Sequence, residues 1–74
     1  MYTVYGKPNC PLCVKAKKLL EKEGIDHNYI DLSTDLEKLE QFKSLGFRSV
    51  PIICLGDKTI GGYGDLQDHL LDTL

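Results

Sequence analysis

One short segment, Lys7-Pro8-Asn9-Cys10-Pro11-Leu12-Cys13, restricts this 74-residue chain more than any other. A β-branched and aromatic run, Tyr2-Thr3-Val4-Tyr5, comes before it and stops at Gly6, which reads as a first strand. A helical repeat comes after it: Val14, Ala16, Leu19 and Leu20 are interleaved with Lys15, Lys17, Lys18 and Glu21, and Gly24 ends the run. Pro11 suits the first position of that helix, where a missing N–H costs nothing. The segment is therefore a strand-to-helix junction with two cysteines around the first helical turn. Three residues of helix separate their Cα atoms by about 5 Å, within the roughly 4.4–6.8 Å that a disulfide spans.

The rest of the chain alternates in the same way. Tyr29-Ile30-Asp31-Leu32 reads as a second strand. Thr34 and Glu37 form a capping-box pattern that opens a second helix, with Leu36, Leu39, Phe42 and Leu45 expected as its buried stripe before Gly46. Pro51-Ile52-Ile53-Cys54-Leu55 suits a buried strand, Gly56-Asp57-Lys58 a hairpin turn, and Thr59-Ile60 a fourth strand interrupted by Gly61-Gly62. Leu66, Leu70, Leu71 and Leu74 are expected on one face of a last helix. The order β-α-β-α-β-β-α predicts an α/β fold in a single domain over residues 1–74: a four-stranded mixed sheet flanked by helices. Its first two strands should be parallel and its last two an antiparallel hairpin. At this length a domain buries only about 60% of its unfolded surface, so the core is thin.

Charge and composition narrow the function. The formal net charge is -2, but residues 1–24 carry +3 and residues 25–74 carry -5. The cationic end holds the cysteine pair, which suits an anionic substrate or a stabilised thiolate, although most of these lysines are expected on a solvated helix face. An acidic domain without a basic, aromatic stripe argues against nucleic-acid binding. Three cysteines are too few and too odd for a secreted disulfide scaffold. Residues 1–10 lack the pattern of a signal peptide, and no apolar stretch reaches transmembrane length. The expectation is a soluble cytoplasmic protein with no membrane association.

Three chemistries fit the cysteine pair. In the first it is a redox couple. Cys10, at the helix tip, would meet the free N–H groups of the first turn and the positive end of the helix dipole, which favour the reactive thiolate. Lys7 would add charge, Cys10 would attack, and Cys13, one turn in, would resolve. In the second it is half of a metal site, for which only Cys54, His27 and His69 remain, scattered over separate elements. In the third it is a pair of buried thiols. Cys54 reads as a small core residue within an apolar strand. His69, beside Asp68, is expected to face solvent, and neither histidine has a partner pattern that suggests catalysis.

Three segments in order carry a resemblance. Lys7 to Cys13, Gly46-Phe47-Arg48-Ser49-Val50-Pro51, and Ile60-Gly61-Gly62-Tyr63-Gly64-Asp65-Leu66 resemble the Lys-x-x-Cys-Pro-Tyr-Cys, Arg-Thr/Ser-Val-Pro and Ile-Gly-Gly-x-x-Asp-Leu segments of the glutaredoxins. The likeness covers nearly the whole chain and implies a minimal thioredoxin-like fold with a cis bond before Pro51. It implies a thiol–disulfide oxidoreductase whose catalytic residues are Cys10 and Cys13, with glutathione as co-substrate and no permanently bound cofactor or metal. By the same resemblance, glutathione would contact Lys7, Leu12, Lys38, Ser49, Val50, Pro51, Tyr63, Gly64 and Asp65. Lys7 and Lys38 would face its glycine carboxylate, and the start of the last helix would hold its γ-glutamyl end. Asp65 reads equally as an N-cap. Leu12 departs from the family's tyrosine and is expected to tune reactivity. The implied partners are disulfide-containing proteins, ribonucleotide reductase among them, met by a monomer. Two readings compete: a redoxin dedicated to ribonucleotide reductase and recharged by thioredoxin reductase, and an iron–sulfur or metal-binding module. Lys7 and the Gly-Gly-x-x-Asp segment favour glutathione.

Overall fold

The computed structural model describes residues 1–73. Four strands and three helices follow one another as β1 (Tyr2–Gly6), α1 (Pro11–Lys22), β2 (His27–Asp31), α2 (Leu36–Ser44), β3 (Ile52–Leu55), β4 (Lys58–Gly61) and α3 (Tyr63–Thr73). The strands form one sheet in the order β2-β1-β3-β4. β1 and β2 run parallel, with Val4 opposite Tyr29 and Gly6 opposite Asp31. β3 is antiparallel to both β1 and β4. This is the mixed sheet that the element order predicts, and it places β1, the strand leading to the cysteines, in the interior of the sheet.

Alternation along the strands separates two cores. Val4 and Ile53 point to one face, where Ala16 and Leu20 of α1 and Leu66 and Leu70 of α3 cover them. Tyr5 and Ile52 point to the other, where Phe42 of α2 and Leu32 pack. The second core is aromatic: Tyr5 and Phe42 meet edge to face at 4.9 Å between ring centroids, and Phe42 and Phe47 at 5.7 Å. Each such pair adds about 0.5–1.5 kcal/mol beyond the area it buries.

The helices depart from the sequence expectations in four places. Asp35, not Thr34, caps α2, its carboxylate accepting from the Lys38 amide at 3.2 Å. Thr34 instead donates its hydroxyl to the Asp31 carbonyl at 2.9 Å. Ser33 donates its amide and hydroxyl to the Asp31 carboxylate, which holds that carboxyl below its usual range. Secondly, Leu36 and Leu45 are exposed, while Leu39 and Phe42 face the sheet. Each i+3 step falls about 60° short of a full turn, so four residues at that spacing spread over half the helix circumference. Thirdly, Leu71 is 77% exposed, because one residue past Leu70 the helix has turned about 100° away from the core. Leu74 lies outside the described residues. Fourthly, His69 does not simply face solvent: its Nε2 lies 3.0 Å from the Tyr2 hydroxyl, since Tyr2 shares the Val4 face of β1 that α3 covers. Cys54 is half-buried at the edge of the second core, its Sγ 3.9 Å from Thr59 Oγ1.

Leu20 of α1 is fully buried among the residues of the sheet and α3 on that face. Leu20→Ala is expected to cost about 2–5 kcal/mol, read as a lower midpoint in urea unfolding at unchanged slope.

Candidate active site

The site begins where β1 becomes α1. Asn9 takes φ 60°, a left-handed conformation that asparagine tolerates better than most residues. The chain then enters Cys10 in extended conformation, and Pro11 starts the helix. Cys10 is thereby the N-cap. Its sulfur accepts the Cys13 amide hydrogen at 3.1 Å, the bond that a serine or aspartate side chain makes at an ordinary cap. α1 has no acidic residue in its first turn, so nothing there offsets the positive end of the helix. Cys10 and Cys13 are joined as a disulfide with Cα atoms 5.2 Å apart, inside the range reckoned from helical geometry. Cys10 is partly exposed, whereas Cys13 is buried. One sulfur can thus be approached from solvent and the other cannot, as attacking and resolving thiols require.

The second wall comes from the loop before β3. The Val50–Pro51 peptide is cis, as the resemblance implied, and the Val50 carbonyl oxygen lies 4.0 Å from Cys10 Sγ. The third wall is the start of α3. Asp65 is not an N-cap. From the third helical position its carboxylate reaches back to the Gly62 amide at 3.0 Å, the reciprocal half of a capping box. This requires glycine at position 61, which has φ +127° and where a Cβ would lie 2.8 Å from the Asp65 carboxyl carbon. Gly62 in turn approaches the Pro51 carbonyl, so the start of α3 abuts the Pro51 loop.

Two open grooves share Lys7 in their walls. One, of about 670 Å³, is lined by Lys7, Phe47, Arg48, Ser49 and Val50 and rimmed by Lys43 of α2. The other, of about 560 Å³, runs past Cys10, Pro11, Val14, Lys17 and Tyr29, and Lys7 stands between the two. Of the residues singled out in the sequence, Lys7 shares a groove with Cys10, Val50 lies beside its sulfur, and Ser49 lines the first groove with both Lys7 and Val50. Leu12 is 46% exposed at the tip of α1. Lys38 does not line either groove; its ammonium lies 6.0 Å from the Tyr5 ring centroid. Tyr63 packs against the first core, and Gly64 is exposed in the first turn of α3.

Four neighbours were missed in the sequence: Lys43, Arg48, Lys17 and Tyr29. Arg48 and Lys43 flank the Ser49-Val50-Pro51 loop in space, and Arg48 was visible as part of that segment. Lys17 repeats the Cys13 position one helical turn on, so its proximity followed from spacing. Tyr29 had no local signal, because its place depends on the register of β2 against β1. Among the described residues no three His, Cys, Asp or Glu side chains gather as a metal would need. No described helix is long and apolar enough to cross a membrane.

The glutaredoxin family model matches residues 2–60, from β1 into β4 and across both the cysteine junction and the Pro51 loop. The chain belongs to the glutaredoxin family. A glutaredoxin of Haemophilus influenzae is 36% identical over 72 residues, covering 86% of this chain and 83% of that protein. A hybrid peroxiredoxin of the same organism is also 36% identical, over 67 residues, but this chain spans only 28% of its length. Among solved structures, the glutaredoxin-like NrdH-redoxin of Escherichia coli, described with a thioredoxin-like activity profile, superposes with a TM-score of 0.82 at 27% identity. That match covers 95% of this chain and 92% of the redoxin. A buckwheat glutaredoxin in complex with glutathione gives a TM-score of 0.82 at 28% identity, over 97% of this chain and 69% of that one. As in the family, the redox pair here is Cys10 with Cys13, and the fold is thioredoxin-like.

Gly61→Ala should destabilise the domain by more than about 1 kcal/mol, since alanine at positive φ is strained and its methyl displaces the Asp65 cap. Equilibrium unfolding would check this; a Gly61→Ala protein as stable as the parent would contradict the assigned geometry.

Proposed function

We propose that this glutaredoxin-family protein is a glutathione-dependent thiol–disulfide oxidoreductase acting on protein disulfides and glutathione mixed disulfides. The observation that supports it is the Val50 carbonyl 4.0 Å from the Cys10 sulfur, at a groove that Lys7, Lys43 and Arg48 line together with Ser49 and Val50. Glutathione has an anionic carboxylate at its glycine end and a peptide backbone beside its thiol. Cations at the groove rim suit the first. The Val50 backbone beside Cys10 suits the second, in the manner of an added strand. On this reading Lys43 and Arg48 do what Lys38 was expected to do. The start of α3, with its free N–H groups and the second oxygen of Asp65, suits the γ-glutamyl carboxylate and ammonium.

The reaction is two exchanges. The Cys10 thiolate attacks a substrate disulfide, one substrate sulfur leaves as thiolate, and a mixed disulfide forms on Cys10. Cys13 then attacks Cys10 Sγ, releases the second substrate thiolate and closes the Cys10–Cys13 bond. One glutathione thiolate reopens that bond at Cys10, and a second removes the first as glutathione disulfide. Burial of Cys13 leaves Cys10 as the sulfur open to each incoming thiolate. On this reading the protein works as a monomer in a reducing compartment such as the cytoplasm, with glutathione as co-substrate and no resident cofactor. Ribonucleotide reductase is one candidate among its disulfide substrates.

A second reading has its own support. The likeness to the NrdH-redoxin is as close in shape as that to the glutathione-bound glutaredoxin, and Leu12 removes the tyrosine of the family's glutathione-using members. In that reading thioredoxin reductase supplies the electrons. Lys7 and the Gly61-Gly62-x-x-Asp65 arrangement favour glutathione.

The deciding experiment is reduction of a small mixed disulfide by glutathione, glutathione reductase and NADPH, beside the same assay with thioredoxin reductase. Activity with the first system is expected; activity with thioredoxin reductase alone overturns the proposal. In the same assay Cys13→Ser should still remove glutathione from mixed disulfides but lose reduction of protein disulfides, and Cys10→Ser should lose both. Arg48→Gln and Lys7→Gln should each raise the KM for the glutathionylated substrate several-fold with kcat little changed, the signature of lost ground-state binding.

A further inference from the structure

Cys13 has a problem that Cys10 does not. When the Cys10–Cys13 bond opens, the electron pair leaves on Cys13 Sγ, at a residue only 1% exposed. A buried thiolate without hydrogen-bond donors is costly. The Cys13 amide is not available to it, being directed at Cys10 Sγ, 3.1 Å away.

A donor stands across Gly6. A Cβ at Gly6 would lie 2.9 Å from Cys13 Sγ and 3.0 Å from Tyr29 Cζ, and would strike the Tyr29 hydroxyl. The sulfur and the phenol thus converge on the space left by the missing side chain. The register explains how. Tyr29 pairs with Val4 and Gly6 with Asp31, so the Tyr29 side chain and the Gly6 gap share the α1 face of the sheet. α1 holds the ring from its other end: Lys17, one turn beyond Cys13 on the same helix face, sets its ammonium 4.6 Å from the Tyr29 ring centroid.

We propose that the Tyr29 phenol hydroxyl serves as hydrogen-bond donor to the Cys13 thiolate when the disulfide opens. An incoming thiolate bonds to Cys10 Sγ, the S–S bond breaks, and Cys13 Sγ takes the electron pair while the Tyr29 O–H turns toward it; the proton stays on tyrosine. In the reverse direction the same donor keeps a fraction of Cys13 as thiolate, ready to attack a mixed disulfide on Cys10. Burial and the nearby Asp31 carboxylate raise the Tyr29 pKa above its ordinary value, so the phenol remains a donor at neutral pH. The charged and titratable groups that face this region are Cys10 and the Lys17 ammonium on α1, Lys7 from the loop before it, and on β2 Tyr29 and Asp31, whose carboxylate is held by Ser33. β1 presents Gly6, and α3 turns Leu66 and Leu70 toward α1. The inference rests on the redox pair and not on glutathione as the reductant.

The test is Tyr29→Phe, which removes the hydroxyl and keeps the ring on Lys17. In a Cys10→Ser background, the Cys13 thiol is titrated by the carbon NMR shift of its Cβ against pH, a probe that needs no access to the buried sulfur. In the Cys10-containing protein, the rate at which dithiothreitol opens the disulfide is followed. Tyr29→Phe should move the Cys13 titration to higher pH and slow ring opening about tenfold, the weight of one hydrogen bond to a charged group. Fluorotyrosine at position 29, a stronger donor of nearly the same shape, should move the titration the other way, which loss of packing could not do. An unchanged Cys13 titration in both variants overturns the proposal. Because dithiothreitol replaces the biological reductant, the result is independent of whether glutathione or thioredoxin reductase feeds the protein.

Discussion

The Cys13 amide points at the Cys10 sulfur because Pro11 starts α1 one residue after Cys10, and the rest of the site is arranged around that bond. A thiolate in the N-cap position meets the unpaired N–H groups of the first turn and no acidic side chain. The same helical start puts Cys13 one turn inward and under the sheet, so the two sulfurs share a bond but not an environment. One sulfur can be attacked and the other can only be reached through it. Asn9 in the left-handed region makes the sharp entry possible, and β1, lying between two neighbouring strands, gives the junction a rigid base.

Around that base the fold brings together three segments far apart in the chain. β3 pairs with β1, so the loop carrying Val50 and Pro51 ends beside Cys10. β4 pairs with β3, so Gly61 and the start of α3 end beside Pro51. The backbone that would recognise a thiol-bearing peptide and the helix start that would recognise an α-amino acid end are placed by strand pairing. The cations that would attract such a ligand come from elsewhere, Lys7 from the junction and Lys43 from α2. This division separates precise positioning, done by backbone, from attraction, done by flexible side chains at the groove rim.

Both glycines that matter at the site are spaces for someone else's polar group. At Gly61 the space is filled by the Asp65 carboxylate on its way to the Gly62 amide. At Gly6 it is shared by Cys13 Sγ and the Tyr29 phenol. A side chain at either position would push apart groups that must meet. Leu12 brings no hydroxyl to the tip of α1; the phenol near the pair belongs to β2 and lies on the side of the resolving sulfur.

Much of this was legible in the residues themselves, and the parts that were share a cause. The strand before Gly6, the helix after Pro11, the spacing of Cys10 and Cys13 and the element order all follow from local rules of backbone sterics and helical periodicity. The ordered motifs then identified the family. The misreadings also share a cause. Leu36, Leu45 and Leu71 were assigned to buried faces, yet which apolar residues a short helix buries is set by the angle at which it meets the sheet. Asp35 took the cap from Thr34, a competition between adjacent acceptors. His69 found Tyr2, and Tyr29 found Cys13, through packing and strand register between residues 67 and 16 positions apart in the chain. By itself the sequence determined that Cys10 heads a helix and that Cys13 lies one turn behind it, because three residues of helix admit no other arrangement. Only the tertiary structure decided what surrounds those two sulfurs, because Val50 and Tyr29 arrive there by the pairing and packing of elements whose local sequences carry no record of their neighbours.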